Sequence, residues 1–370
     1  MNKILTMKDL DDFVRGSTLF GTGGGGPQNV GKSLLLGSFE EGKNLEFVDI
    51  NDLDDEAWIC TALFMGSIAP LSDEEKEKKA SLGLDEKKEP RVLVRAVKEL
   101  EKELGIEFDG IVSVELGGIN CPAPLDAAAQ LNKKFIDADL AGRAVPEVAQ
   151  ILPRMMKYEI APIACVDPWG DVCIIKEVAN YDMAEQLGKM LSIPAFEPIG
   201  LACFPMKVKD AKEAMVTETM TRNLKAGAAV REARENGEDP VKAFADIADG
   251  QIVFRGTVEK KEWKNEGGYM YVDLDLKGIK EFENNTFRIW AKNENHISWL
   301  NDEVYITSPD LLQCVLEDGE PLTNTDIKEG DYVAVVAFAN PKYRTEEGIR
   351  IMGPKHYGFD IEYRPMEEII

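Results

Sequence analysis

The glycine run Gly21-Thr22-Gly23-Gly24-Gly25-Gly26 restricts the fold of this chain more than any other feature of its sequence. Consecutive glycines lose much conformational entropy on ordering and bury no side chain, so packing alone seldom favours them. Residues 7–19, opened by Thr6, have helical spacing, and Pro27 suits the first turn of a second helix. The run therefore predicts backbone N–H groups that face an anion or oxyanion, with a flexible loop between two helices as the alternative.

The same region carries a motif typical of nucleotide sites. The segment Gly26-Pro27-Gln28-Asn29-Val30-Gly31-Lys32-Ser33 satisfies the P-loop pattern G-x-x-x-x-G-K-[ST]. A true P-loop follows a buried strand, whereas residues 11–19 upstream have the pattern of an amphipathic helix. A P-loop-like nucleotide-binding protein is therefore an alternative interpretation, and Lys32 and Ser33 are otherwise expected on a helix surface.

Apolar runs alternate with helix-like segments through the first half of the chain. Strands are predicted at 57–65, 110–115 and 134–137. This alternation predicts an α/β N-terminal domain over residues 1–163, with a mostly parallel sheet and covering helices. Residues 164–370 begin with a helical stretch and continue in short strands, which predicts a β-rich C-terminal barrel or swivelling domain.

Charge and composition exclude several classes of partner. The formal net charge is −24, from 43 basic and 67 acidic residues. Such a surface repels phosphate backbones and anionic headgroups, so we expect no nucleic-acid partner and no membrane partner. The sequence shows no signal-peptide core and no segment long enough to cross a bilayer, which predicts a cytoplasmic protein.

The strand predicted at 110–115 ends in a turn rich in polar and small residues. In open α/β sheets, ligands bind beyond the carboxyl ends of the strands, so a carboxylate here is a candidate for catalysis. The alternative is a solvated strand end at Glu115, with Asn120 capping the next helix. Of the six cysteines, Cys121 is the one placed to act as a nucleophile. The candidate substrate-binding residues of this turn are Gly117, Gly118, Asn120 and Cys121, together with Gly23, Gly24, Gly25 and Gly26 of the glycine run.

The segment Asp137-Ala138-Asp139-Leu140-Ala141-Gly142-Arg143-Ala144-Val145-Pro146-Glu147 concentrates charge behind the next predicted strand. Such a cluster suits a divalent ion, or a general base beside an arginine that clamps an anionic group. Glu147 also has a simpler explanation, because a carboxylate near a helix N-terminus is stabilised by the helix dipole. The candidate catalytic residues are Asp139, Asp137, Glu115, Arg143 and Glu147.

Histidine occurs only at His296 and His356. A zinc site with three histidines or an HExxH motif is therefore impossible, and any metal ion must be held largely by oxygen or cysteine ligands. The cofactor is unknown from sequence, with a divalent metal ion as the open candidate. Both histidines lie in predicted polar turns of the second domain and are expected at the surface.

Five segments carry a resemblance to a known family. The glycine run, Glu-x-Gly-Gly-x-Asn at 115–120 and the segment 137–147 occur in this order, followed by Pro309-Asp310-Leu311-Leu312 and Gly353-Pro354-x-x-x-Gly358. Together they resemble the S-methyl thiohydantoin desulfurase family, which is associated with hydantoinases and oxoprolinases. The resemblance covers almost the whole chain, is most specific at 137–147, and implies an α/β domain followed by a β-rich domain.

The resemblance implies hydrolysis of a five-membered cyclic ureide or thioureide, with release of a thiol from a hydantoin-like ring. Water activated by one of the candidate carboxylates would attack the ring carbon that bears sulfur. Backbone N–H groups of the glycine run would stabilise the developing charge, or bind a carboxylate tail with Arg143. Asn120 would contact the ring amide. Relatives are expected to carry a small hydroxyl residue at Cys121, which argues against an essential thiol.

The sequence leaves the partners of this chain open. A small cyclic ureide is the expected substrate, and either a homo-oligomer or assembly with a hydantoinase-type subunit is compatible with the resemblance. A non-catalytic partner subunit of a hydantoinase- or oxoprolinase-type enzyme is the main alternative to an enzyme.

Overall fold

A computed structural model describes residues 2–66 and 71–370 of the protein. Its α-helices are α1 Met7–Leu19, α2 Gln28–Glu40, α3 Asp73–Ser81, α4 Val92–Leu104, α5 Pro122–Leu131, α6 Leu152–Met155, α7 Tyr181–Ala195, α8 Val208–Ala211, α9 Thr219–Asn236, α10 Pro240–Ile247 and α11 Glu346–Met352. Its strands are β1 Phe47–Val48, β2 Trp58–Met65, β3 Gly110–Ser113, β4 Lys134–Asp139, β5 Ile163–Val166, β6 Val172–Ile175, β7 Ile199–Lys207, β8 Val216–Thr217, β9 Gln251–Glu266, β10 Tyr269–Gly278, β11 Thr286–Lys292, β12 Glu294–Leu300, β13 Glu303–Thr307, β14 Leu311–Leu316 and β15 Tyr332–Phe338. None of the described helices is long and apolar enough to cross a membrane.

The first sheet has the strand order β1-β4-β3-β2-β7-β5-β6, with β8 paired to β4. Strands β1, β4, β3 and β2 are parallel, whereas β7, β5, β6 and β8 join in antiparallel fashion. Apolar clusters cover both faces of this sheet, as expected for parallel strands that are buried on both sides. The α/β class of the N-terminal part is thus confirmed, with a sheet that is mixed rather than mostly parallel.

The second sheet is antiparallel throughout, in the order β13-β12-β11-β10-β9-β15-β14, and it curls into a half-barrel. The predicted β-rich C-terminal domain is confirmed. The two sheets divide between β8 and β9, because strands from residue 163 to residue 217 still belong to the first sheet. The domain division at residues 163 and 164 stays a prediction, but it does not separate the sheets.

Helix α1 places the glycine run at the contact between the two sheets. The helix begins with a capping box, in which the Thr6 hydroxyl accepts from the Asp9 N–H at 3.1 Å and Asp9 accepts from the Thr6 N–H at 2.9 Å. Just after its end, the ring of Phe20 packs edge-on against Phe244 of α10 and Phe338 of β15, with centroid distances of 5.5 and 5.6 Å. This aromatic contact buries apolar surface between the sheets and fixes where the next residues lie.

Candidate active site

The three segments singled out in the sequence lie against one another at the carboxyl edge of the parallel strands. The carbonyl of Gly25 accepts from the N–H of Ile119 at 2.9 Å, and the N–H of Leu116 donates to the carbonyl of Arg143 at 3.0 Å. These bonds join the glycine run to the 115–120 turn, and that turn to the 137–147 segment. Strands β3 and β4 are neighbours, so the turns that follow them emerge side by side.

Direct backbone contact explains the glycines at Gly25 and Gly117. Gly25 has φ +73°, and a Cβ added there would lie 2.5 Å from the Cα of Gly117. Gly117 and Gly118 pack on the backbone of the run, since a Cβ on Gly118 would lie 2.4 Å from the carbonyl oxygen of Gly26. The absence of a side chain at Gly117 and Gly118 allows this close approach. Because both residues pack on the run, neither offers a free surface to a substrate.

The amide groups of the glycine run are only partly available to a ligand. The N–H of Gly23 donates to the Gln313 side chain at 3.2 Å, and that of Gly24 donates to the carbonyl of Gly21 at 2.9 Å. The N–H groups of Gly25 and Gly26 have no acceptor among the residues that the structure describes. Two amides of the run therefore remain as candidate donors to a bound oxygen.

The P-loop interpretation is wrong. The glycine run lies between helices α1 and α2, whereas a P-loop connects a strand to a helix. Lys32 forms an ion pair with Asp11 at 2.6 Å, and both side chains are about 40% exposed (43% and 39%). The Ser33 hydroxyl donates to the carbonyl of Asn29. These residues lie on a helix surface, as the simpler interpretation expects.

Glu115 organises the two turns beside the run. One carboxyl oxygen accepts from the Asn120 amide at 2.7 Å, and the other accepts from the Val145 N–H at 2.5 Å. Burial, and then the nearby charge of Glu294, raises the pKa of Glu115 well above its usual value, while the Val145 N–H opposes the shift. Both oxygens are engaged, so the contacts of Glu115 suit positioning better than attack. Asn120 is held by Glu115 rather than capping α5.

Asp139 is a buried carboxyl with one oxygen bound and the other without a partner in the part of the chain that the structure describes. It is completely buried, and its Oδ2 accepts from the N–H groups of Ala141 and Gly142 at 2.9 and 2.6 Å. Its Oδ1 is buried without a hydrogen-bond partner among the described residues. Burial raises its pKa to about 7. The two N–H groups act against this rise, as do the nearby Thr219 hydroxyl and the charge of Arg222. A carboxyl with a pKa near neutrality and one free oxygen can exchange a proton with a ligand.

Asp137 and Glu147 have structural partners instead. Asp137 accepts from the Thr221 N–H at 2.9 Å and so satisfies an amide in the first turn of α9. Glu147 forms ion pairs with Lys292 and with His356, the latter at 3.3 Å. Burial acts to raise the pKa of Glu147, but hydrogen bonds from His356 and Lys292 outweigh it and lower the pKa to about 2. These contacts account for both carboxylates without a catalytic role.

Arg143 is a completely buried arginine beside the same turns. Its Nε donates to the carbonyl of Ala144 at 2.9 Å, and its Nη1 donates to the carbonyl of Pro309 at 3.3 Å. Its Nη2 has no partner among the described residues. Since buried polar atoms are nearly always paired, this nitrogen marks a position where a ligand or water can accept a hydrogen bond.

The second sheet contributes residues that the sequence did not single out. A Cβ on Gly24 would lie 1.8 Å from Oε1 of Glu294, so this carboxyl rests on the glycine run. Its Oε2 is buried without a partner among the described residues. Burial raises the pKa of Glu294 to about 8, although the Arg143 charge opposes this. Glu294 is therefore mostly protonated at neutral pH and can donate a proton.

His296 lies in β12, two residues beyond Glu294, and the surface position predicted for it is wrong. It is completely buried, and its ring lies 4.1 Å from that of Tyr357, centroid to centroid, at 30°. Neither ring nitrogen has a partner among the described residues. Burial and the Arg143 charge lower its pKa well below the usual value, which leaves a neutral imidazole with one donor and one acceptor. The other histidine, His356, is 28% exposed and pairs with Glu147.

Two asparagines of the C-terminal domain, one in β12 and one between β14 and β15, hold the glycine run in place. The N–H of Asn295 donates to the carbonyl of Thr22 at 2.9 Å, and the N–H of Asn324 donates to the carbonyl of Gly23 at 2.7 Å. The run is thus bonded to the first sheet through Gly25 and to the second through Thr22 and Gly23. The sequence signal for this contact is the polar string at the start of β12, which predicts a turn when it is considered alone.

A groove of about 360 Å³ lies beside this region. It is lined by Gly142, Val216, Arg222 and residues 338–342. Gly142 is one of the two donors to Asp139, and the Arg222 guanidinium lies 4.2 Å from the centre of the Phe20 ring. The Nε of Arg222 is buried without a partner among the described residues. The groove therefore presents a positive charge close to Asp139.

Cys121 lies outside this arrangement, in the apolar core below the turn. Its sulfur is 3.6 Å from the Asn223 amide and 4.0 Å from the Ser113 hydroxyl. Burial raises the pKa of the Cys121 thiol to about 12. A buried neutral thiol is a poor nucleophile, so the nucleophile prediction is not supported. Among the described residues, no three His, Cys, Asp or Glu side chains are grouped to hold a metal ion, and the divalent ion stays an open prediction without a ligand set.

Comparisons with known proteins cover almost the whole chain. A family model described as S-Me-THD-like, N-terminal domain, matches residues 8–177, and one described as S-Me-THD-like, C-terminal domain, matches residues 179–366. The crystal structure of a protein from Chromobacterium violaceum superposes with a TM-score of 0.78 at 21% identity, covering 98% of this chain and 99% of that one. This similarity shows a shared fold. No curated protein matches the chain.

Proposed function

The chain belongs to the S-Me-THD-like family, that of the S-methyl thiohydantoin desulfurases, and from this premise we propose that it is a hydrolase of S-methyl thiohydantoin-like cyclic ureides. In the reaction, the oxygen of water bonds to the ring carbon that carries sulfur, and the carbon–sulfur bond breaks. One proton of the water goes to the ring nitrogen and the other to the departing sulfur. The products are a hydantoin-like ring and a thiol.

Two buried carboxyls, Asp139 and Glu294, each keep one oxygen without a hydrogen-bond partner among the described residues, and this observation carries the proposal. With a pKa of about 7, Asp139 is substantially ionised at neutral pH and can take a proton from water through its free Oδ1. With a pKa of about 8, Glu294 is mostly protonated and can give a proton to the departing sulfur through its free Oε2. Two carboxyls that both titrate near neutral pH can exchange protons with a substrate, and we assign the base to Asp139 and the acid to Glu294.

The remaining unpartnered polar atoms of the described residues are of the donor and acceptor types that a cyclic ureide can pair with. Such a ring alternates N–H donors with acceptor atoms, and neutral His296 offers one donor and one acceptor. The Nη2 of Arg143 and the N–H groups of Gly25 and Gly26 add donors for a ring oxygen on which charge develops. A site built to pair with ring amides rejects analogues that lack them, because its buried polar atoms would then stay unpaired.

Arg222, rather than Arg143, is the residue for an anionic tail on the substrate. Arg143 is fully buried, and two of its nitrogens donate to backbone carbonyls. Arg222 instead lines the open groove and keeps its Nε free of protein partners among the described residues. A substituent that extends into this groove would lie close to this guanidinium.

Turnover of S-methyl thiohydantoin by the purified protein tests the proposal. Release of thiol is followed with a thiol-reactive dye, and the hydantoin product by liquid chromatography. We expect Asp139→Asn to lower kcat by about 100-fold or more. Asp137→Asn, two residues earlier on the same strand, is the matched control and should leave kcat near the wild-type value.

Two results would count against the proposal. Full activity of Asp139→Asn would remove this carboxyl from the chemistry. Turnover that arises only when a hydantoinase-type subunit is added would instead favour the non-catalytic partner interpretation.

A further inference from the structure

Strands β5 and β6 place two cysteines directly opposite each other. The two strands are antiparallel, and their register pairs Cys165 with Cys173. Opposed residues of an antiparallel pair project to the same face of the sheet. Both thiols are free, and β6 is the edge strand on this side of the sheet.

The spacing of an antiparallel pair is close to that of a disulfide. Opposed Cα atoms lie about 4.5 to 5.5 Å apart, within the range of about 4.4 to 6.8 Å that disulfides span. Opposed Cβ atoms lie about 4.5 to 5.5 Å apart, whereas a disulfide needs about 3.5 to 4.5 Å. The strands must therefore approach by roughly 1 Å. Among the described residues β6 pairs with β5 alone, so it can make this movement without breaking another ladder.

The two thiols differ in access to solvent. Cys173 is exposed, whereas Cys165 is 3% exposed, and Cys60, Cys121, Cys203 and Cys314 are also buried. A reagent in solution therefore meets Cys173 first. Cys165 is then the opposed thiol that can displace whatever group has been attached to Cys173.

We propose that Cys165 and Cys173 form a cross-strand site of thiol modification, at which a low-molecular-weight disulfide oxidises the protein to an internal disulfide. The Cys173 thiolate attacks the small disulfide, forming a mixed disulfide and releasing one thiol. Cys165 then loses its proton and attacks the Cys173 sulfur, releasing the second thiol. Two protein thiols are oxidised and one small disulfide is reduced to two thiols.

Burial governs the rate of the second step. Burial, with a smaller effect from Cys173, raises the pKa of the Cys165 thiol to about 12. Little thiolate is present at neutral pH, so the mixed disulfide should accumulate briefly before it resolves, and resolution should accelerate as pH rises. This site lies apart from the residues of the proposed reaction, and its existence does not depend on that reaction.

Oxidised glutathione is the probe for this inference. The full-length protein is incubated with it at mildly alkaline pH, the reaction is stopped with acid, and the intact mass is measured before the remaining thiols are alkylated for proteolysis. We expect a glutathione adduct that appears first and is replaced by a species two hydrogen atoms lighter than the reduced protein. Proteolysis before Asp167 or Asp171 then separates the two cysteines into peptides that stay joined only by the disulfide.

Three variants define the outcome. Cys165→Ser should stop at the glutathione adduct, Cys173→Ser should acquire neither product, and Cys203→Ser on neighbouring β7 should behave like the wild type. If Cys165→Ser does not fold, judged by circular dichroism, Cys165→Ala replaces it. A wild-type protein that keeps a stable adduct, or that forms no joined peptides, would overturn the inference.

Discussion

Replacing Asp139 by asparagine tests whether the folded protein disfavours the ionised form of this carboxyl and so raises its pKa. Asparagine keeps the size of the side chain and an acceptor for the N–H groups of Ala141 and Gly142, but it cannot ionise. The pKa of Asp139 is about 7 in the folded protein, against about 3.9 in an unfolded chain. Because the folded value is raised, the stability linked to this group is fully present below about pH 4 and is lost as pH rises to about 7.

The size of the effect follows from this interval. Between the two pKa values, the wild-type protein loses about 1.4 kcal/mol of unfolding free energy per pH unit. Between about pH 5 and about pH 9, only the roughly two units below about pH 7 contribute to this loss. The wild type should therefore lose about 3 kcal/mol that Asp139→Asn does not lose. Other buried carboxyls, such as Glu294 and Glu115, titrate in both proteins and largely cancel from the difference.

Urea unfolding at both pH values, followed by tryptophan fluorescence, measures this difference. Glu294→Gln is a second variant with the same expected sign, and because the pKa of Glu294 is about 8, the loss in the wild type extends from about pH 4 to about pH 8. An equal pH dependence of stability in wild type and Asp139→Asn would show that the fold does not disfavour the Asp139 charge. The role of Asp139 as a base poised near neutrality would then lose its physical support.

Three further substitutions have defined outcomes. Gly25→Ala should lower the free energy of unfolding by about 3 kcal/mol or more, because its Cβ would lie 2.5 Å from the Gly117 Cα. The control Gly83→Ala, at φ +70° with nothing within 4 Å, should lower it by only about 1 to 2 kcal/mol. Equal losses would contradict the close approach. His296→Asn should lower kcat by about 100-fold in the thiol-release assay with little change in Tm, and an unchanged kcat would remove the imidazole from the reaction. Cys121→Ser should keep turnover near the wild-type value, since its thiol is neutral, and inactivity with a native circular dichroism spectrum would restore the nucleophile hypothesis.

Local patterns account for the part of the site that the sequence could predict. Glu115 and Asp139 follow neighbouring parallel strands, and the rule that such strands present their carboxyl ends at one edge brings them together without knowledge of packing. The same patterns could not separate Asp137 from Asp139. The difference between them arises from helix α9, because the N–H of Thr221 in this helix donates to Asp137. Thr221 comes more than eighty residues later in the chain.

The second half of the site depends on contacts that no local pattern encodes. The string Asn293-Glu294-Asn295-His296 is polar throughout, so it predicts an exposed turn. In the structure Glu294, Asn295 and His296 are buried, because they begin β12 and the Glu294 carboxyl lies against the glycine run. The sequence shows that Glu294 and His296 can transfer protons, but their burial beside the glycine run follows only from the packing of the two sheets.

The bonds from Asn295 and Asn324 to the glycine run make the site a property of the assembled chain rather than of either half. A fragment that ends before β9 would keep Asp139 but lack the acid, the imidazole and the two amides that order the run. Any ligand that bridges Asp139 and Glu294 would then bind only the docked form and would stabilise docking by mass action. Substrate would in this way raise the free energy needed to separate two sheets that also share one apolar core.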